Sequence, residues 1–377
     1  MRPIVVLPIG IAFLVASALA CSSSSNNSGF GLGDDGGGSG SGSGGGSGGG
    51  SGGSSGGGSG GSFGDGGSSS GGDDSGDGGV IVKTTVYANT DDTLYSVDPQ
   101  TQAVTTIGPF AGTSDSSTDS AVTDVAVNGN GDVYVNTESV VYKAALPATP
   151  PGTVTLTKLA TIQATGGGKF FALAFAPAGA LDPNNETLVG GDGNGSLWSI
   201  DTSTGATKNL GNFGADKSIA GNSFVLSGDV VFYTDPNTNK ATGLATIRSC
   251  PPGGSGSKCT KDYLAGVQMT NLQTAYTSGT PATTLLGGIY GGSSTGPGSG
   301  TGFADVFGLG AWNSTVFGFT RHISTPATAP TLITIDTTSG VGTATPNTFS
   351  FTNGWSGAGV TTKVTIVVHP PPPPPPQ

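Results

Sequence analysis

LYSVDPQTQAVTTIG (94–108) and LWSIDTSTGATKNLG (197–211) align without gaps, and LITIDTTSG (332–340) is a third copy whose matching weakens beyond Gly340. Each reads as an alternating strand, a polar turn and a second strand. Asp98, Asp201 and Asp336 open the turns, where a carboxylate can cap nearby backbone N–H groups. Gly205 and Gly340 follow four places later, where the chain needs a positive φ. These aspartates are therefore turn residues and not catalytic candidates.

The copies begin 103 and 135 residues apart. Both intervals fit multiples of a four-stranded unit of about 45–50 residues. Between the copies run further short strands, at Val122–Val127, Asp132–Val135, Phe170–Phe175, Thr187–Val189, Phe224–Leu226, Val230–Tyr233, Val306–Leu309 and Thr315–Thr320. They are broken every 8–12 residues or so by Gly, Asn, Asp or Pro, as in a sandwich or a radial β-array, and the repeat favours the array. The chain is expected to be all-β, a β-propeller of four-stranded blades preceded by a disordered Gly/Ser tether. Five blades can be laid out with all their strands. The stretch Val267–Gly302 is the misfit: Met269–Tyr276 reads as a short helical turn followed by Gly-rich loop, an insertion between blades or a degenerate sixth blade. The first blade begins at its second strand, Thr84–Thr90. The tail, Ser356–Thr362 with Lys363–Val368, could supply the missing one and so remove exposed sheet edges.

The three hairpins resemble those of bacterial YVTN-type β-propellers, whose blades carry a strand, an acidic–small–Thr–Gly turn and a second strand. The resemblance covers roughly residues 84–368. It implies architecture and is nearly silent about function.

Upstream of the repeats the chain carries an address. Arg2 supplies a positive start, Ile4–Ala16 an apolar stretch, and Ser17–Ala20 small residues before Cys21, so residues 1–20 read as a signal peptide. Ala18-Leu19-Ala20-Cys21 resembles the bacterial lipobox, which implies acylation of Cys21 after cleavage. The motif departs from the commonest pattern, which has Leu three places before the Cys. Ala18 and Ala20 also suit ordinary signal peptidase, which would leave a free Cys21. Ser22 after the Cys resembles lipoproteins sorted to an outer membrane. From Cys21 to residue 79 the chain is almost all Ser and Gly, with too little apolar surface to offset the entropy of ordering. As a flexible coil this linker would reach about 40 Å. The body of the chain is then 80–369, followed by the polyproline tail 370–377.

Charge excludes one class of partner. The formal net charge is −11, charged residues make up only 10%, and no Lys/Arg run is interleaved with aromatics. Nucleic acid is therefore not an expected partner. The expected partners are the membrane, through the lipid anchor, and a cell-surface glycan or protein.

Few residues offer chemistry. Cys250 and Cys259 bracket a Pro/Gly-rich loop and are expected to form a local disulfide; a metal pair would need two more soft ligands. His322 and His369 are the only histidines, and Glu138 and Glu186 the only glutamates. His369 abuts the proline run, and His322 is expected in an exposed loop. There is no Gly-x-Ser-x-Gly elbow and no His-Glu-x-x-His. The turns Asn128–Asp132 and Asp192–Ser196 place oxygens at alternate positions, as a hard cation wants, but lack the rest of a calcium loop. They read as hairpin connections, and no metal or cofactor is expected. Phe170, Phe171, Trp198, Trp312 and Trp355 could stack on sugars or pack between blades. Trp312 and Trp355 are the ligand-binding candidates, because neighbouring glycines would leave their faces uncovered.

The functional expectation is a non-enzymatic, lipid-anchored envelope protein displaying its propeller for binding or adhesion. Two alternatives stand beside it. One is an envelope lyase or hydrolase using polar residues that converge on the central mouth, and the other is a structural envelope protein.

Overall fold

The computed structural model describes residues 85–363, except short internal stretches of which the longest are 270–282 and 292–300. The leader, Cys21, the Gly/Ser segment, His322, His369 and the proline tail lie outside the described residues.

The strands form five antiparallel blades. Blade 2 runs outward as Asp124–Val127, Val133–Asn136, Val140–Ala145 and Val154–Thr161; blade 3 as Phe170–Ala176, Thr187–Asp192, Ser196–Ile200 and Thr207–Asn212. Blade 4 runs as Ser223–Asp235, Lys240–Cys250, Tyr263–Val267 and Thr283–Gly288. Blade 5 runs as Val306–Trp312, Thr315–Thr320, Leu332–Ile335 and Gly342–Ala344. Blade 1 is built from both ends of the domain. Gly357–Val360 is its inner strand, paired in register with Val86–Asn89 from Val86↔Val360 to Asn89↔Gly357, and Thr93–Val97 and Val104–Ala111 lie outside. Each inner strand packs against the next, and the strand of blade 5 packs against Gly357–Val360. The ring is closed. The domain is a five-bladed β-propeller.

The three repeated hairpins are the third and fourth strands of blades 1, 3 and 5, so each copy is two blades from the next. Their turns are alike to the hydrogen bond. The carboxylate oxygen Oδ1 of Asp98, Asp201 and Asp336 accepts from the N–H groups two and three residues on, at 2.7–3.1 Å. The fourth residue takes a positive φ in each, 60° at Gln102, 72° at Gly205 and 74° at Gly340. In the middle turn the Ser203 hydroxyl, together with those two backbone bonds, lowers the Asp201 pKa to about 2.

Hydrophobic side chains alternate toward the seams between blades, and the core is a set of such seams. Leu94, Val125 and Tyr142 fill the seam of blades 1 and 2; Val141, Phe170 and Ile200 fill that of blades 2 and 3. Leu197, Leu226 and Ile247 join blades 3 and 4, while Val86, Leu309, Phe317 and Trp355 join blades 5 and 1. Fully burying one such side chain contributes roughly 1.5–3 kcal/mol.

Two expectations need correcting. Val267–Gly302 is neither a sixth blade nor wholly an insertion: Thr283–Gly288 is the outer strand of blade 4. Tyr290–Gly291 and Thr301–Gly302 form a hairpin whose first strand pairs with the edge of blade 5. Phe224–Leu226 and Val230–Tyr233 are one strand, because Ser227-Gly228-Asp229 is a bulge and not a turn. The bulge lets the strand continue while turning Asp229 inward. Of the two tail segments considered for closure, Gly357–Val360 is the one that closes the ring, and 364–368 lies outside the described residues.

Candidate functional site

The centre of the ring holds two carboxyl groups. Asp124 begins the inner strand of blade 2, and Asp229 sits in the bulge of the inner strand of blade 4; both residues are fully buried. These blades are not neighbours in the ring, yet the two side chains reach hydrogen-bonding contact, which only the axis allows. Every carboxylate oxygen also faces a backbone N–H. Asp124 accepts from Val125 at 2.8 Å and from Leu173 of blade 3 at 2.6 Å. Asp229 accepts from Val230 at 2.5 Å and from Leu309 of blade 5 at 2.6 Å, and Ala358 of the closing strand donates to it as well. All five inner strands thus meet at one pair of acids.

Burial strips water from both carboxyls and opposes ionisation, and each negative charge would oppose the other. Asp124 is driven well above the usual carboxylate range by burial and then by Asp229. Burial raises Asp229 to about 8, against the N–H donors that favour its charged form. A pair so close titrates as a unit and keeps a proton at neutral pH. Glycine makes the approach possible: a Cβ on Gly357 would lie 2.1 Å from Asp124 Oδ1.

A second polar layer lies at the end of the ring where these inner strands begin. Arg248 and Arg321 are the only arginines of the domain, and both are held by carboxylates. Arg248 reaches Asp262 at 3.4 Å, Asp305 at 2.7 Å and the Ser227 hydroxyl at 2.7 Å, with all three charged groups buried. Asp262 also accepts the Val306 N–H at 2.8 Å. Its carboxyl is raised by burial, with Arg248 opposing that rise. Asp305 holds the left-handed conformation at φ 56°, an uncommon one for a residue with a side chain. Arg321 meets Asp91 through both terminal nitrogens at 3.0 and 3.3 Å and lies 5.6 Å from the Phe307 ring centroid. Ser356, at the start of the closing strand, donates to Asp91. Blades 4, 5 and 1 are laced together in this way.

The disulfide forms as expected between Cys250 and Cys259. It spans the loop that returns the chain from Arg248 to Asp262, so the bridge and the ion cluster share one loop. Trp355 is not an open aromatic face. It is fully buried, 4.6–5.3 Å from the ring centroids of Tyr95, Phe319, Phe349 and Phe351, all edge-on to it. Its ring is covered by Tyr95 and Phe319 from distant strands and by Phe349 and Phe351 from the segment just before it. Trp312 ends the inner strand of blade 5 and is half-buried against the core. Phe170 is fully buried, Phe171 is half-buried, and Trp198 donates its indole N–H to Asp192 at 2.9 Å. In the two turns with alternate oxygens, Asn128 Oδ1 accepts from Asn130 and Asp132, and Asp192 Oδ1 accepts from Asn194 and Ser196. Both are side-chain-capped hairpin connections. Sequence reasoning missed Asp124, Asp229, Arg248, Asp262 and Asp305 as a group. The available signal was an acid within the apolar run VTDVAV (122–127) and arginine scarcity itself.

No family model matches the chain, and no curated protein does. The neighbours among solved structures include β-propellers. A protein of unknown function from Bacteroides caccae aligns over 74% of this chain and 98% of its own, at 10% identity and a TM-score of 0.33. The Dos1 propeller aligns over 73% of this chain and 69% of its own, at 10% identity and a TM-score of 0.30. BamB from Moraxella catarrhalis aligns over 68% and 70%, at 9% identity and a TM-score of 0.28. The blade assignment itself rests on the strand order and ring closure described above.

Proposed function

We propose that the chain is a lipid-anchored cell-envelope protein whose propeller is a non-enzymatic module for binding or adhesion, with a glycan, matrix component or envelope protein as ligand. The observation that carries this reading is the filled axis. A hydrolase or lyase at the central mouth would need acids that a substrate can reach. Asp124 and Asp229 are fully buried, and their four oxygens face backbone N–H groups. The nearby arginines are held by carboxylates. Recognition then falls to the loops and to half-buried side chains such as Trp312, on a body that the Gly/Ser segment would hold about 40 Å from its anchor.

The anchor is tested on the full chain in a Gram-negative host with a palmitate label. The unaltered protein is expected to incorporate label and sediment with membranes. Cys21→Ser should lose the label and appear soluble, with its propeller intact by circular dichroism. Label retained by Cys21→Ser, or an unaltered chain that is unlabelled and soluble, would remove the anchor from the reading. A thermal-shift screen of the unlabelled protein against glycans and wall fragments tests the binding module, since a ligand of the folded state must raise Tm.

A further inference from the structure

We infer that the Asp124–Asp229 pair is a protonated latch, holding the five inner strands together and making ring closure depend on the pH around the protein. The geometry carries the inference. Two acids from non-adjacent blades touch on the axis, are fully buried, and accept N–H groups from the inner strands of blades 3, 5 and 1. One negative charge is well held by this ring of donors. Two charges in contact, with no cation facing them, are not. The strands packed against the pair present Leu173, Leu309 and Ala358, and the second strand of blade 4 presents the Thr246 hydroxyl to the Asp229 N–H. Among the described residues, each carboxyl has only the other as a charged neighbour. Arg248 is occupied by Asp262 and Asp305 and does not compensate the pair.

The direction follows from linkage. Both folded carboxyls are raised, Asp229 to about 8, so folding binds at least one proton that the unfolded chain releases near pH 4. The stabilisation is full below the ordinary carboxylate value and is lost as pH rises through the folded value. The unfolding constant should therefore grow at least about tenfold per pH unit between pH 5 and 7 from this pair alone. As pH rises through that window the buried pair takes on negative charge, and the contacts at Leu173, Leu309 and Ala358 are expected to loosen first.

Denaturant unfolding of the full chain at pH 5, 6, 7 and 8 tests this, with Asp124→Asn and Asp229→Asn alongside. The wild type should lose stability along that series. Each variant should be weaker at pH 5, because an amide nitrogen replaces one acceptor, and should show a flattened pH dependence. A flat wild-type series, or variants with the wild-type slope, would overturn the latch. If neither variant folds, infrared spectroscopy of the wild type decides. The carbonyl stretch of a protonated carboxyl should be present at pH 6 and weaken as pH rises above about 8, and its absence at pH 6 would overturn the proposal. The result is independent of what the loops bind and of whether Cys21 is acylated.

Discussion

Gly357→Ala is expected to cost about 3 kcal/mol or more of folding stability and to unseat the strand that closes the ring. The added Cβ would meet Asp124 Oδ1 at 2.1 Å and Asp124 Cα at 2.6 Å. A side chain can swing aside for a methyl group, but a backbone atom in a neighbouring strand moves only if the strand moves. Gly359 repeats the constraint one step on, where a Cβ would lie 2.2 Å from the Val125 carbonyl oxygen. Any shift of Gly357 also pulls Ala358 from Asp229 and Ser356 from Asp91. Chemical denaturation of Gly357→Ala beside Gly168→Ala is the check. At Gly168 the added Cβ would first meet a side-chain oxygen at 3.4 Å, ordinary contact, and the expected change is within about 0.5 kcal/mol. Equal effects at the two positions would show that the inner strands do not approach as described.

Arg248→Met is the other large loss. It should destabilise the domain by about 3–5 kcal/mol at neutral pH, because removing one partner leaves the others charged in a site without water. Asp262 and Asp305 lie 1% and 2% exposed, so neither can turn outward to solvent without opening the seam between blades 4 and 5. The loss should shrink in acid, where protonation neutralises the stranded Asp262 carboxyl, already raised by burial. It should shrink at neutral pH too in the triple variant carrying Asp262→Asn and Asp305→Asn, since residues in one network do not contribute additively. Urea unfolding at pH 4.5 and 7 separates these outcomes. A loss of similar size at both pH values would mean that Arg248 matters for packing and not for charge.

Local features of the fold were legible in the sequence, and features that depend on ring geometry were not. The turns at Asp98, Asp201 and Asp336 are decided within five residues, and their bonds follow from residue type alone. The missing strand of blade 1 could be placed in the tail because a sheet edge left open is costly, wherever the partner lies in the chain. Ser227-Gly228-Asp229 shows the limit. Its composition is that of a turn, and only the strand of blade 5 beside Gly228, whose added Cβ would lie 2.1 Å from the Val306 carbonyl oxygen, makes it a bulge. The axial pair was out of reach for the same reason. Asp124 and Asp229 meet only because five blades close, and no spacing rule links them. Trp355 misled in the opposite direction: the glycines beside it suggested an open ring, while Tyr95 and Phe319 come from remote segments to cover it.

The strand Gly357–Val360 completes blade 1 and locks the ring around a filled axis. Hydrogen exchange read by mass spectrometry on the unaltered protein tests it without any substitution. The peptide bearing Gly357–Val360 should exchange as slowly as the one bearing its partner strand Val86–Asn89, because both open only when the domain unfolds. Rapid exchange at Gly357–Val360 while the core strands of blades 2 and 3 stay protected would mean that the ring is not closed by this strand.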